Sequence, residues 1–244
     1  MGKYLYCETL KIKHTFSQKL IFIAPIATIL LAIFIGGTYN LQSMNLYWWY
    51  AFILCGFIGI LSGLSIQREQ RAGKFYSVYS QPIKLTHFWV SKVAAISILV
   101  LVASLLLGLL TALTVVWEAV PNVISPARIL LGSAAIAISS LWQIPLCLWL
   151  ASKAGMFLPV LFNTVMGLFS TLITATSSSL WWFIPYTWAS KITEPITGIK
   201  SSGDMGAITN YNASLIPIIL CISAALFLVL TLVTAKWFAR QEVK

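Results

Sequence analysis

The segment Gln67–Lys92, QREQRAGKFYSVYSQPIKLTHFWVSK, sets charged and aromatic side chains side by side. Arg68, Glu69 and Arg71 open it, and Gly73, Lys74 and Phe75 follow. Read as a short helix over 67–80, it places Phe75, Val78 and Tyr79 at i, i+3 and i+4, one apolar face behind a charged start. Such a face suits docking against another protein, whereas a basic loop that only fixes orientation needs no Phe-Tyr-x-Val-Tyr run. The helix is expected to stop at Gln81, because the residue before Pro82 is pushed out of the α region. A second grouping lies in the loop 181–213: Trp181, Trp182, Tyr186 and Trp188, then a Gly, Ser, Asn and Thr-rich stretch with Glu194 and Asp204. An aromatic belt at headgroup depth accounts for its composition. A segment Trp181–Ala189 that folds back into the membrane accounts for it equally, provided protein covers its backbone.

Other chemistries lack their residues. The Gly-x-x-x-x-Gly-Lys-Ser/Thr phosphate loop is absent, since Gly73-Lys74 is followed by Phe75 with no glycine five residues earlier. His14 and His87 stand alone, so neither has the neighbours a catalytic or metal role needs. Cys7, Cys55, Cys147 and Cys221 are scattered singly without metal-ligand spacing and read as small packing residues. No catalytic constellation, metal site or cofactor site is expected on this chain.

The elements that must hold these groups are six long apolar stretches, roughly 20–39, 46–66, 92–117, 129–151, 157–180 and 214–235. Each matches the ~17–25 residues with which a helix crosses a hydrocarbon core about 30 Å thick. A charged fraction of 9% against 59% apolar residues, with mean hydropathy +0.89, excludes a soluble domain of 244 residues. The fold class is an all-α membrane protein built as one domain over 1–244. Thirteen of the 16 basic residues fall on one side of the spans and only Arg128, Lys191 and Lys200 on the other. Basic residues in short loops stay cytoplasmic, so both termini are expected there, and the formal charge of +10 is an orientation signal rather than a nucleic-acid footprint.

Residues 1–18 carry Leu5, Ile12 and Phe16 near one helical face, which fits a helix lying in the headgroup layer, as it also fits a plain basic leader. The run from Leu20 to Ile35 is too long, and too lacking in a small-residue cleavage pattern, for a removable signal. Gly56, Gly59 and Gly63 give the second span a small face for close helix packing, within the chain or between subunits. Pro25, Pro145, Pro159 and Pro217 imply local kinks or breaks. No Asp, Glu, Lys or Arg lies mid-span, which argues against an ion-driven transporter. Energy must then come from another chain.

Several stretches carry a resemblance: Leu10-Lys11-Ile12-Lys13-His14-Thr15-Phe16 with Ala24-Pro25, Tyr47-Trp48-Trp49-Tyr50, and Glu69-x-x-x-Gly73-Lys74-Phe75 with Gln81-Pro82-Ile83 and Ser91-Lys92. With six spans they resemble type 2 ABC exporter permeases, and among these the permease subunits of lantibiotic self-protection transporters of the MutE/EpiE type. The resemblance implies a multi-pass permease in the cell membrane of a Gram-positive bacterium. It would pair with a second permease, of the same or a sister type, and with two copies of an ATPase subunit that carry ATP and Mg. It would return a cationic antimicrobial peptide to the medium. Coupling to the ATPase would fall on Glu69, Gly73, Lys74 and Phe75, and the aromatic outer loop would be the peptide's first contact. A permease for another drug or lipid-like substrate, or a non-transport membrane immunity or sensor protein, is the alternative.

Overall fold

The computed structural model describes residues 2–72, 84–114, 124–176, 179–206 and 212–241, so Gly73, Lys74, Phe75, Val78 and Tyr79 lie outside the described residues. Helix α1 spans Gly2–Ile12 and α2 spans Phe16–Gly36. His14 turns the chain between them at φ 61°, a left-handed conformation uncommon for a residue with a Cβ. Its amide donates to the Gln18 side chain at 2.8 Å, so a first-turn glutamine reaches back over the helix start in the manner of a capping box. The expected 1–18 segment therefore ends at Ile12, and Phe16 already belongs to the first long helix.

Five described helices are long and apolar enough to cross a membrane, and six if one bent pair counts as a single span. They are α2, α3 (Leu41–Arg71), α4 (Leu85–Leu113), the pair α5 (Pro126–Ser140) and α6 (Gln143–Ala154), α7 (Phe157–Thr176) and α9 (Leu215–Ala239). Between α7 and α9 come two short 3-10 turns, Leu180–Trp182 and Pro185–Thr187, and α8 (Trp188–Thr197). Among the described residues there is no strand, only an isolated bridge between Ile199 and Met205.

The differences from the expected spans have physical causes. Helix α3 begins at Leu41 rather than near 46, because polar Gln42 and Asn45 find partners inside the bundle. Gln42 donates to Thr114 at 3.2 Å and accepts from the Ile124 amide at 2.8 Å, and Asn45 donates to Thr111 at 3.2 Å. The expected fourth span is instead two helices, α5 and α6, bent by 45° at Leu141–Trp142. Pro145 is the cause, as it has no N–H for the Leu141 carbonyl and its ring crowds that position. The Ile144 amide takes the carbonyl instead at 3.0 Å. Pro159 and Pro217 sit in the first turns of α7 and α9, where no amide partner is lost, and both helices run on unbroken.

Helix α3 is the centre of the bundle: 72% of its apolar window is enclosed, against 17% for α9, which leaves most of α9 on the outside of the bundle. Trp49, Leu54, Ile58, Trp89, Ile136 and Leu148 are buried together around it. At one end of the bundle α1 packs on α4, and Phe88 of α4 stacks on Phe238 of α9 at 6.0 Å, so the first and last described helices both pack on α4 there.

Candidate functional site

Four charged side chains converge at that end. Lys92, in the second turn of α4, is 1% exposed and donates to Glu8 at 2.8 Å and Glu69 at 3.0 Å. Lys11 closes the same ring from α1, 2.9 Å from Glu8 and 2.8 Å from Glu69. Both ammonium groups sit over the Phe88 ring, at 5.2 Å for Lys11 and 5.0 Å for Lys92. Burial pulls the Lys11 pKa down, but hydrogen bonds and charge from Glu69 and Glu8 outweigh it and leave it raised above the ordinary lysine value. The two pairs are balanced in charge, as a buried cluster must be to offset its desolvation. The clasp ties α1 to the end of α3 and the start of α4, the two flanks of residues 73–83.

A second polar knot lies deeper. Asn163 on α7 donates to the Cys55 carbonyl at 2.7 Å and to Gln143 at 2.8 Å, and accepts from the Tyr186 hydroxyl at 2.7 Å. The knot joins α3, α6, α7 and the turn at Pro185–Thr187. Asn163 stands thirteen residues before the end of α7 at Thr176, about 20 Å along the axis at 1.5 Å per residue. The chain leaves α7 at one end and comes back along the bundle far enough for Tyr186 to reach that residue. Trp142 stacks edge-on against Tyr186 at 4.8 Å, and Thr187 bonds the Trp181 carbonyl at 2.7 Å to close the turn. Helix α8 then packs on α5 and α9.

The glycine face of α3 meets α7 within the same chain. A Cβ on Gly59 would lie 2.7 Å from the Val160 Cα and 3.0 Å from the Pro159 carbonyl oxygen. Backbone cannot move aside cheaply, so Gly59→Leu is expected to cost about 1–3 kcal/mol by overpacking. Thermal unfolding in detergent checks it: a drop in midpoint for Gly59→Leu, and none for Gly2→Leu, where the added Cβ meets open space. Gly56 faces Thr164 and Gly63 faces Met156 on the same seam. One helical turn of α3, Trp49–Ile53, is widened to π geometry, and there Gly167 of α7 approaches so closely that a Cβ would lie 2.7 Å from the Ala51 carbonyl oxygen. Beside the seam runs an open apolar groove of about 1040 Å³, lined by Leu20 and Ala24 of α2, Phe57 and Ile60 of α3, and Val160 and Leu161 of α7.

A family model described as "ABC-2 family transporter protein" matches residues 4–170, well over half of the 244. The chain belongs to the ABC-2 transporter family. No curated protein and no solved structure matches it. The matched region takes in the clasp, both flanks of 73–83, the glycine seam and Asn163. As an ABC-2 permease the chain is a multi-pass membrane component, not itself the catalytic part, and membership implies an ATPase partner.

The permease places the sequence-predicted site residues in three settings. Glu69 is 5% exposed and turned into the clasp, so it is not presented on a docking surface. Arg68 leans on α2, donating to the Ser17 hydroxyl at 3.4 Å, and Arg71 is exposed beyond it. Of the outer aromatics, Trp181, Tyr186 and Trp188 are buried, while Trp182 is exposed beside Phe183. Glu194 is also enclosed, paired with Lys191 at 3.0 Å and accepting from Ser201 at 2.7 Å, whereas Asp204 is exposed and bonded to Ser202. Four of the six outer residues thus hold the fold and two face out.

Sequence reasoning missed Glu8, Lys11 and Lys92 as a unit, having read the lysines as orientation signals. One signal was available. Glu8 and Glu69 are two of only three acids on the side that carries thirteen basic residues, so each was bound to be claimed by a lysine or arginine.

Proposed function

We propose that this permease is the transmembrane subunit of an ABC exporter that lifts a cationic, ring-bearing antimicrobial peptide, a lantibiotic, from the membrane back to the medium. Two permease chains and two ATPase subunits make up the transporter, with ATP and Mg held on the ATPase. The observation that carries the reading is the buried clasp. It binds both flanks of 73–83 and the N-terminal helix into one stiff junction, so a push by an ATPase on that segment moves α3 and α4 together. Docking then falls on Gly73, Lys74, Phe75, Val78 and Tyr79, with Glu69 acting from inside. Both termini and this junction face the cytoplasm, and the turns from Leu180 to Thr187 form a re-entrant element from the other side.

The substrate class rests on the far end. Trp182 and Phe183 are exposed there, and no charged site lies in the middle of a span, which suits an amphipathic peptide drawn from the outer leaflet rather than a small ion. The groove of about 1040 Å³ favours a second reading, a permease for a lipid-like or drug-like substrate.

Cells expressing the permease with its ATPase should survive lantibiotic levels that stop cells lacking it, and should release bound peptide into the medium. Protection that persists with a hydrolysis-dead ATPase overturns export in favour of a sequestering or sensing protein; ATP-dependent protection against an unrelated drug but not a lantibiotic favours the second reading. Phe75→Ala should lower ATPase association while the permease still inserts. For orientation, Ser202→Cys should react with an impermeant thiol reagent in whole cells once the exposed native Cys7 and Cys221 are replaced, and Lys13→Cys should not. Ser202 serves better than its neighbour Ser201, which is 6% exposed. The reverse labelling inverts the topology.

A further inference from the structure

We propose that a single anionic phospholipid binds along the cleft between α2 and α3. Its phosphate lies at Arg68 and Arg71 and one acyl chain in the apolar groove that continues toward α7. Two cavities carry the inference. The large groove is almost wholly apolar. At the N-terminal end of α2 a smaller one, about 220 Å³, brings polar groups into a partly apolar wall: Thr15, Ser17, Gln67, Arg68 and Arg71 line it together with Phe16 and Leu64.

The two are consecutive stretches of one cleft. On α2, Ser17 of the polar cavity and Leu20 and Ala24 of the groove are spaced i, i+3 and i+7. On α3, Phe57 and Ile60 of the groove lead to Leu64 and Arg68 of the polar cavity at the same helical spacing. Each helix therefore shows the cleft one face that is apolar over most of its length; at its end α3 contributes Arg68 and Arg71, and α2 contributes the Ser17 hydroxyl. From Ile53, which lines the groove, to Arg68 is fifteen residues, or about 22 Å at 1.5 Å per residue. One leaflet with its headgroup layer is about 20–22 Å, half of a bilayer.

Charge selects the headgroup. Among the described residues neither Arg68 nor Arg71 has a carboxylate partner, although Glu69 stands between them in sequence, because Glu69 points the other way into the clasp. Ser17 is 3% exposed, and its hydroxyl accepts from the Arg68 guanidinium at 3.4 Å at the α2 start. Guanidinium groups prefer phosphate as a bidentate partner, and basic pockets between spans take anionic headgroups. An apolar groove opening to a bilayer is filled by lipid or by protein, and a basic group at its headgroup-level end chooses lipid. This takes Arg68 and Arg71 out of the ATPase-docking set while leaving the proposed export intact.

Full-length permease in detergent, titrated with phosphatidylglycerol or phosphatidylcholine and weighed by native mass spectrometry, tests it. One phosphatidylglycerol per chain should be retained, at least fivefold more than phosphatidylcholine, and Arg68→Gln/Arg71→Gln should abolish the preference. A phosphatidylglycerol carrying a photoactivatable acyl chain should label peptides containing Ile60 and Leu161, and Ile60→Trp should suppress the label without altering the melting point. Equal retention of the two lipids, or a preference untouched by the double arginine variant, overturns the proposal. So does efficient disulfide cross-linking between two chains bearing Ile60→Cys and Leu161→Cys in membranes, which makes the groove a subunit contact. If the double variant loses ATPase association but keeps its lipid, the arginines belong to docking and the lipid site is wrong, independently of whether export holds.

Discussion

Lys92→Met is expected to be the most damaging single substitution in the permease. Its ammonium is 1% exposed and shared between Glu8 at 2.8 Å and Glu69 at 3.0 Å. Removing it leaves two enclosed carboxylates with only Lys11, whose side chain is 37% exposed. Breaking one partner out of a buried pair costs about 3–5 kcal/mol, because the uncompensated charge stays behind. At about 2–4 °C per kcal/mol for a chain of this length, the thermal midpoint in detergent should fall by roughly 6–20 °C. Proteolysis should also reach α1, since the clasp is what holds that short helix to α4. A triple variant, Lys92→Met with Glu8→Gln and Glu69→Gln, should recover most of the loss, for it removes the charges as a set. Wild-type melting in the single variant would show that the clasp carries no load, and the proposed relay would go with it. Lowering the pH toward mildly acid values is not an equivalent probe for Lys11: a lysine with a raised pKa contributes fully below its ordinary range and loses its contribution only as pH rises through the raised value.

The spans were legible because hydrocarbon imposes a rule on sequence: an apolar stretch of sufficient length has no alternative but to cross. Every expected stretch overlaps a long helix or, at 129–151, a broken pair. The helix ends were not legible, and for a common reason. Gln42 and Asn45 look like loop residues by polarity, yet Thr111, Thr114 and the Ile124 amide satisfy them, so α3 starts earlier than its apolar run. Lys92 looks like the border of a span and is instead eight residues into α4, because two glutamates from elsewhere neutralise it. In each case the partner is more than 20 residues away, and local pattern carries no information about it.

The segment from Leu180 to Trp188 shows the same limit in another form. Trp181, Trp182, Tyr186 and Trp188 read as a belt because aromatic rings favour the interface, but composition does not say which rings turn inward. The Asn163 side chain decides it for Tyr186, and Asn163 on its own gave no sign of being more than a polar residue in an apolar helix. The glycine spacing in α3 was visible, but whether it faced a subunit or the chain itself depended on Pro159 and Val160, a hundred residues on.

Asn163→Leu is expected to free the segment from Leu180 to Trp188. The substitution is nearly isosteric, so it removes three hydrogen bonds, to the Cys55 carbonyl, Gln143 and Tyr186, without opening a cavity. Hydrogen bonds between membrane helices average about 0.6 kcal/mol and reach about 1.7, so three together amount to roughly 2–5 kcal/mol. Tyr186→Phe removes one of them and should cost about a third as much. The useful readout is local. Thr187 is fully buried with its hydroxyl on the Trp181 and Ile184 carbonyls, and cysteine there is smaller by one methyl and puts a weak S–H donor in the hydroxyl's place, a change common to every variant compared. With the exposed Cys7 and Cys221 replaced, Thr187→Cys should react slowly with an aqueous thiol reagent. Only the Tyr186 bond reaches the segment, and each 1.4 kcal/mol multiplies the open population about tenfold, so adding either Asn163→Leu or Tyr186→Phe should raise the rate by roughly 3- to 15-fold. If instead all three react alike, the Tyr186 to Asn163 bond does not pin the segment. Slow reaction in all three assigns the pinning to α8 against α5; fast reaction in all three places the segment in water rather than within the bundle.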